Sequence, residues 1–94
     1  MSRIDDRFKS LNGKKALVAF FTAGDPDLSA SKDIFSVIEK AGADIIELGV
    51  PFSDPLADGP VIQASAHRSL QNGTTLGKII ELVKDIRSQS QLPI

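Results

Sequence analysis

Apolar positions along the chain form two short runs that are separated by segments with helical spacing. The first run covers residues 16–22, and the second covers residues 44–50, with one carboxylate, Glu47, in its interior. Such runs are typical of strands that are covered on both faces of a parallel sheet. Between and after them, apolar side chains recur every three or four residues, as on one face of a helix. This alternation predicts right-handed βαβ units in an α/β fold.

The first two predicted helices have recognisable ends. Residues 3–12 carry apolar side chains at helical spacing, and Asn12-Gly13 ends this short helix. Asp27 and Ser29 are alternative caps for the second helix, because either side chain can accept a hydrogen bond from a backbone N–H of the first turn. Gly42 suits the position just after that helix, where a left-handed backbone conformation is common.

Two further helices are expected after the second strand. Pro60 suits the first position of a helix that closes near Asn72-Gly73. Thr74 or Thr75 begins the last helix. Its expected inner face consists of five apolar side chains: Leu76, Ile79, Ile80, Val83 and Ile86. The apolar residues 92–94 follow a polar helix end, and we expect them to begin a third strand.

Composition and charge exclude several classes of protein. The chain has 94 residues with 11 Lys and Arg against 12 Asp and Glu, as in an ordinary soluble domain. A net charge of −1 predicts no nucleic-acid surface, and no apolar run approaches the roughly 20 residues that span a bilayer. The sequence contains no cysteine, which excludes disulfides and thiolate catalysis. With charged residues in place of an apolar leader, these features favour a cytoplasmic protein.

Glu47 is the residue that the apolar pattern of the second strand explains least well. Strand alternation puts Glu47 and Ile46 on opposite faces of the second strand. If the aliphatic face packs under the helices, Glu47 points into the interior near the strand's carboxyl end, where parallel α/β folds have their active sites. A carboxylate there can serve as a general acid–base. Alternatively, Glu47 caps backbone groups or pairs with a lysine of another strand.

Asp58 lies at the far side of a loop, residues 51–59, that leaves the second strand. Such a loop can fold back over the strand and bring Asp58 near Glu47, so that the two carboxylates hold different protonation states. The alternative is that Asp58 is only the N-cap of the helix that begins at Pro60.

Other polar residues have simpler interpretations. Asp25 and Asp54 each precede a proline, and turn geometry explains both. Phe20 and Thr22 share a strand face and either line a pocket or pack in the core. His67 is expected on a helix surface. The sequence has no phosphate-binding loop, metal cluster or nucleophile elbow, so we expect neither a metal nor a cofactor.

Three segments resemble the tryptophan synthase α subunit family. Residues 47–60 are similar to the signature segment of that family, and residues 21–26 resemble its first strand and loop at the expected distance upstream. Residues 41–44 fit the turn between them. The resemblance covers essentially the whole chain, and it implies the N-terminal βαβα portion of a TIM (β/α)8 barrel, preceded by a short helix. Residues 1–94 would form about the first two βα units and the beginning of strand three.

The resemblance also implies a reaction. The family is a lyase of tryptophan biosynthesis that cleaves indole-3-glycerol phosphate by a retro-aldol reaction to indole and glyceraldehyde 3-phosphate. Glu47 would be the general acid–base that moves a proton between the substrate's C3 hydroxyl and ring C3. Asp58 would bind the indole N–H and stabilise positive charge. Phe20 would contact the indole ring, with Thr22 as its neighbour in the pocket.

A protein partner is implied as well. The family assembles with the tryptophan synthase β subunit in an α2β2 heterotetramer. Pro51 and Asp54 would lie near that interface.

The length of the chain qualifies these expectations. A TIM barrel needs about 250 residues and eight strands, and the family's phosphate-binding loops come late in the chain. We therefore expect the 94-residue piece to be inactive by itself. One alternative is a non-catalytic βα module that self-associates or binds a partner through its open sheet edge. Another is a different phosphate-sugar barrel enzyme with similar carboxylates.

Overall fold

A computed structural model describes residues 2–54 and 57–94 of the chain. In this part the elements alternate as expected. They are, in order, α1 (Arg3–Ser10), β1 (Val18–Thr22), α2 (Leu28–Lys40), β2 (Ile45–Gly49), α3 (Pro60–Gln71) and α4 (Leu76–Arg87). This order confirms the predicted α/β arrangement of a short helix followed by two βα units.

The two strands pair in parallel and in register. Val18 lies opposite Ile45, and Phe20 lies opposite Glu47. Strand β1 begins two residues after the start of its apolar run, and β2 is one residue shorter than its run at each end. Because both strands run in the same direction, their carboxyl ends meet at one edge of the sheet, where a site can form.

Side-chain hydrogen bonds fix the ends of the helices. Asp27 caps α2 by accepting a hydrogen bond from the N–H of Ala30 at 2.7 Å, and Thr75 caps α4. Ser29 and Thr74, the other two candidates, are therefore not the caps. Gly42 follows α2 with φ +107°, the left-handed conformation that its position predicted.

Asp44 ties the beginnings of the two strands together. Its backbone N–H and that of Ile45 both donate to the carbonyl oxygen of Leu17, at 2.9 and 3.2 Å. In return, the Asp44 carboxylate accepts a hydrogen bond of 2.8 Å from the N–H of Leu17. Arg7 of α1 donates from Nε to the Asp44 carbonyl oxygen at 3.1 Å. Helix α1 is thus attached to the end of the sheet opposite the carboxyl ends of the strands.

The core lies between one face of the sheet and helices α2 and α4. Ile46 is fully buried there, and Phe35 of α2 is 2% exposed. Leu48 and Phe21 pack against the same cluster from the sheet. The aliphatic face of β2 therefore packs under the helices, which leaves the side chains at positions 45, 47 and 49 on the other face.

The predicted inner face of α4 was partly wrong. Ile79 and Ile86 are buried as expected, and the third buried residue is Leu82. Leu76 and Ile80 are 60% and 56% exposed. The reason is that α4 packs on α2 and the sheet through positions 79, 82 and 86. The buried stripe is therefore rotated away from Ile80.

The last residues run alongside β2. The N–H of Ile46 donates to the carbonyl oxygen of Pro93 at 3.0 Å, whereas the preceding N–H, that of Ile45, points to the β1 side. Residues 92–94 therefore lie at the edge of β2 that faces away from β1. A third strand that begins here stays a prediction. No helix in residues 2–54 and 57–94 is long and apolar enough to cross a membrane.

Candidate active site

A hollow of about 230 Å³ lies at the carboxyl ends of the two strands. It brings together four of the residues that the sequence singled out, namely Phe20, Thr22, Pro51 and Asp58. The strands supply the first two residues, the loop after β2 supplies Pro51, and the approach to α3 supplies Asp58. The hollow thus lies where parallel α/β folds bind their substrates.

Phe20 forms an aromatic wall of this hollow. The residue is 46% exposed, and its ring lies against Gly49 of the neighbouring strand. A β-carbon on Gly49 would stand 2.6 Å from Cζ and 2.8 Å from Cε2 of that ring. The glycine at position 49 leaves room for the ring in this orientation.

Thr22 lies in the hollow with its hydroxyl in a defined orientation. Its Oγ1 lies 2.7 Å from Oγ of Ser65 in α3, and both residues are buried. Ser65 Oγ also donates to the carbonyl oxygen of Ile62 at 2.9 Å. Because Ser65 has one hydroxyl proton, Thr22 must donate in the first bond. Towards any further partner, the Thr22 hydroxyl can therefore only accept a hydrogen bond.

Ser65 was missed in the sequence. It occupies the middle of a helix whose buried side chains are all small, Ser65, Ala66 and Ser69. Sequence periodicity searches for large apolar side chains, so it gives no signal for this face. The spacing of the small residues, at i, i+1 and i+4, is the pattern that would have indicated it.

Asp58 does not cap α3, so this alternative was wrong. The N-cap is Gly59, with φ −77° and ψ 176°, and within the described residues no side chain caps the helix. Pro60 holds the first helical position as predicted, which places the cap one residue after Asp58. The Asp58 backbone oxygen accepts a bond from Gln63 Nε2 at 2.7 Å. Its exposed carboxylate is left to line the hollow.

Glu47 lies on the face of the sheet that α2 and α4 leave uncovered. It is opposite Phe20 in the register and is exposed, whereas its neighbour Ile46 is fully buried on the covered face. Glu47 is not among the residues that line the hollow. The structure therefore puts Glu47 on the same inner face as Phe20 but does not enclose it together with Asp58.

The remaining predicted residues differ in environment. Pro51 is buried at the hollow, Asp54 is exposed, and His67 is exposed as expected. Pro55 and Leu56, which belong to the signature segment, lie outside the described residues. Within residues 2–54 and 57–94, no three His, Asp or Glu side chains come together as a metal ion would require.

Asp25 is more than a turn residue, because it forms an ion pair with Arg68 of α3. Arg68 Nε and Nη2 donate to the two carboxylate oxygens of Asp25 at 2.8 and 2.9 Å. These hydrogen bonds lower the pKa of Asp25 below its ordinary value of 3.8 against the opposing effect of burial, and the charge of Arg68 lowers it further. One turn further along α3, Asn72 Nδ2 donates to the carbonyl oxygen of Pro26. Sequence reasoning missed this pair because 43 positions separate the partners.

Comparison with known protein sequences gives a consistent result. The profile of the tryptophan synthase alpha chain family matches residues 8–94. The tryptophan synthase alpha chain of Citrifermentans bemidjiense is 60% identical over 96 aligned residues, which cover 100% of this chain and 36% of that protein. The alpha chain of Caldanaerobacter subterraneus subsp. tengcongensis is 57% identical and is covered to 37%. The chain therefore spans a little more than a third of the length of these relatives.

Solved structures agree with the sequences. The tryptophan synthase subunit alpha of Legionella pneumophila str. Paris superposes with a TM-score of 0.95 at 38% identity, over 99% of this chain and 36% of that one. A chain of the tryptophan synthase complex of Pyrococcus furiosus gives a TM-score of 0.79 at 43% identity, over 84% of this chain and 32% of that one. The fold is thus the N-terminal βαβα portion of a TIM barrel. By sequence and by structure, the chain belongs to the tryptophan synthase alpha chain family.

Proposed function

We propose that this chain supplies the first part of an active site that cleaves indole-3-glycerol phosphate to indole and glyceraldehyde 3-phosphate. The observation that carries the proposal is the hollow at the carboxyl ends of β1 and β2, where Phe20, Thr22 and Asp58 meet. The hollow offers an aromatic wall, an oriented hydroxyl and a carboxylate that does not cap a helix. These groups suit an indole ring with one N–H donor. Membership of the family supports the same assignment.

The proposed reaction breaks one carbon–carbon bond without any net change of protons. Ring C3 of the substrate gains a proton, which leaves positive charge at the ring nitrogen. The side-chain hydroxyl then loses a proton, its oxygen becomes the aldehyde oxygen, and the carbon–carbon bond breaks. The electron pair of that bond returns to the ring and gives neutral indole.

Glu47 is the proposed general acid–base for both proton transfers. It lies opposite Phe20 on the inner face, so an indole ring against Phe20 would bring its substituents towards Glu47. Its carboxylate is exposed in the described residues. In the proposal, later strands of a barrel would enclose it and adjust its acidity by burial.

Asp58 is proposed to bind the ring nitrogen. A fixed carboxylate stabilises the positive charge that develops there, and it needs no reorganisation during the reaction. Because Gly59 caps α3, the carboxylate of Asp58 is not used by the helix. Phe20 would provide the flat contact surface for the ring, and Thr22 an acceptor beside it.

We also propose a partner, the tryptophan synthase β subunit. The Pyrococcus furiosus relative was solved as a tryptophan synthase complex. Exposed Asp54 and the neighbouring Pro51 belong to the loop after β2, which leaves the barrel mouth and can contact a second subunit. Binding of the β chain should weaken when Asp54 is replaced by lysine and should not change for Asp33→Lys on α2.

A chimeric barrel tests the lyase function. In it, residues 1–94 of this chain are followed by the remaining part of the Citrifermentans bemidjiense alpha chain, so that eight strands are present. We expect it to release indole from indole-3-glycerol phosphate, and Glu47→Gln to abolish the release. Asp33→Gln on the outside of α2 is the control and should retain full turnover. A folded chimera, as judged by circular dichroism, that does not cleave the substrate would contradict the proposal.

The 94-residue chain alone is expected to be inactive, because a complete barrel needs about 250 residues. Indole release by the purified chain alone would contradict this expectation. The cytoplasmic location likewise stays a prediction.

One observation favours a self-associating module, but through a face of the sheet and not through the open sheet edge of the original alternative. The uncovered face of the sheet exposes apolar side chains, including Val18 at 45% and Phe20 at 46%. Such a face favours association with a second copy. Light scattering of the 94-residue chain would then give a mass that rises with concentration, and Val18→Lys would return it to the monomer. A monomeric mass at all concentrations would exclude this alternative.

A further inference from the structure

Helix α3 is bound to the end of β1 by polar contacts, and its buried side chains are all small. Thr22 and Ser65 share a hydrogen bond of 2.7 Å, and Ser69 Oγ donates to the carbonyl oxygen of Ala23 at 2.6 Å. Both bonds connect α3 with the stretch that runs from the end of β1 into the following loop. The position of α3 therefore depends on directional bonds to this one stretch, which covers residues 22–26.

Gly24 makes this contact closer than a side chain would allow. It has φ +85°, and a β-carbon at this position would collide with the hydroxyl groups of Ser69 and Thr74. The loop and the helix thus pack backbone against hydroxyl, with no side chain of Gly24 between them. We therefore expect the positions of the loop and of α3 to be coupled.

The ion pair between Asp25 and Arg68 lies beside this contact. Its two nearly equal hydrogen bonds, 2.8 and 2.9 Å, form a planar fork, which fixes direction as well as distance. The Asp25 side chain is 18% exposed and that of Arg68 is 54% exposed. Asn72 adds a bond to the Pro26 carbonyl oxygen one turn later. Together these contacts orient the second half of α3.

Asp58 lies next to the beginning of the same helix. It immediately precedes the N-cap of α3, and in the described residues neither a capping bond nor a side-chain partner holds its carboxylate. Arg68 lies eight residues after Pro60, about 12 Å along the helix, so a change of helix direction at Arg68 would displace the beginning of α3, next to Asp58. A shift of this kind matters because misplacement by about 1 Å can lower turnover severalfold or more.

We propose that Asp25 and Arg68 are positioning residues that hold α3, and through it the Asp58 carboxylate, against the hollow at the end of β1. The catalytic part of this inference rests on the function proposed above, whereas the structural part does not. Neither residue is among those that line the hollow. Their role is to fix the position of the Asp58 carboxylate.

Two conservative variants of the chimeric barrel test the kinetic part. Asp25→Asn removes the charge, and Arg68→Lys keeps the charge but cannot form the fork. If geometry is what matters, both should lower kcat about tenfold with KM within twofold. A purely electrostatic contribution to stability would be preserved in Arg68→Lys, so parental kcat in that variant would overturn the proposal. Asp33→Asn, an exposed carboxylate on α2, is the matched control.

Hydrogen exchange of the backbone amides in residues 63–68, which begin with the first hydrogen-bonded amide of α3, tests the structural part. Exchange there should be faster in Asp25→Asn and Arg68→Lys than in the parent, with α4 unchanged. Unchanged exchange in this stretch would overturn the proposal whether or not the chimera is active. Conversely, a chimera that does not cleave the substrate but shows faster exchange in both variants would refute the lyase function and leave the positioning of α3 supported.

Discussion

The ring of Phe20 lies directly on the backbone of Gly49, so that a β-carbon at position 49 would stand 2.6 Å from its Cζ. The two residues come from neighbouring parallel strands, one of which supplies the aromatic wall while the other supplies the space. The missing side chain of Gly49 is therefore part of the hollow's shape as much as the ring is.

Gly49→Ala should destabilise the chimeric barrel. The added methyl group pushes the Phe20 ring aside and stands 3.3 Å from the backbone oxygen of Phe21. Because Phe20 is half exposed and its ring can turn, we expect a cost at the low end for overpacking, about 1 kcal/mol. Urea unfolding, followed by circular dichroism, measures the loss. Gly77→Ala is the matched control, since position 77 lies in α4 with only Thr75 Oγ1 nearby at 3.9 Å. There the substitution should stabilise by about 0.5–1 kcal/mol, because alanine favours a helix over glycine. A midpoint for Gly49→Ala equal to that of the parent would contradict the packing described.

Ser65→Ala should cost more than the loss of a surface hydroxyl. It leaves the Thr22 hydroxyl buried without its acceptor, a penalty of about 1–3 kcal/mol. Thr22→Val in the same chain removes that unsatisfied donor, so the double variant should recover part of the stability. Urea unfolding of the parent, both single variants and the double variant gives the coupling. Strictly additive losses would show that the two hydroxyls do not interact.

Asp44→Ala should loosen the beginning of the sheet. The carboxylate holds the N–H of Leu17 at 2.8 Å, and its loss should lower the free energy of unfolding by about 1 kcal/mol. Faster hydrogen exchange at Leu17 and Ile45 would locate the effect. Asp33→Ala on α2 is the control. Protection at Leu17 that survives in Asp44→Ala would contradict the assignment.

The ion pair of Asp25 makes stability depend on pH. Arg68 lowers the pKa of Asp25 in the folded chain, so the folded state binds this proton less tightly than the unfolded state. The contribution is therefore fully present above the ordinary pKa of 3.8 and is lost as the pH falls through the lower folded value. Urea midpoints of the parent and of Asp25→Asn should differ at pH 6 and converge towards pH 2. A constant difference across this range would exclude the pair as its cause.

Elements and caps could be predicted from the sequence because their signals are local. Asp27, Gly42 and Pro60 each act within a few residues of their own position, and each occupies the place expected for it. The inner face of Glu47 also followed from strand alternation. These features need only the spacing of neighbouring residues.

Contacts between distant elements could not be predicted in the same way. Arg68 and Ser65 each meet residues 43 positions earlier, and no periodicity records such a pairing. The alternative that Asp58 caps α3 was wrong because Pro60, at the first helical position, puts the cap at Gly59. The buried stripe of α4 was partly misassigned because packing on α2 buries Leu82 and leaves Ile80 exposed. The features that the sequence did not predict depend on how elements that are distant along the chain pack together.

The small side chains under α3 also decide which substitutions this region can accept. A mutational library over the helix should divide sharply. Positions such as Val61 and His67, which face outward, should accept nearly any helix-forming residue. Ser65 and Ser69 should accept almost nothing, because a larger side chain has no space and alanine has no hydroxyl. Related sequences that diverge on this helix are therefore expected to vary along its outer side, whereas Ser65 and Ser69 on its buried side should stay nearly invariant.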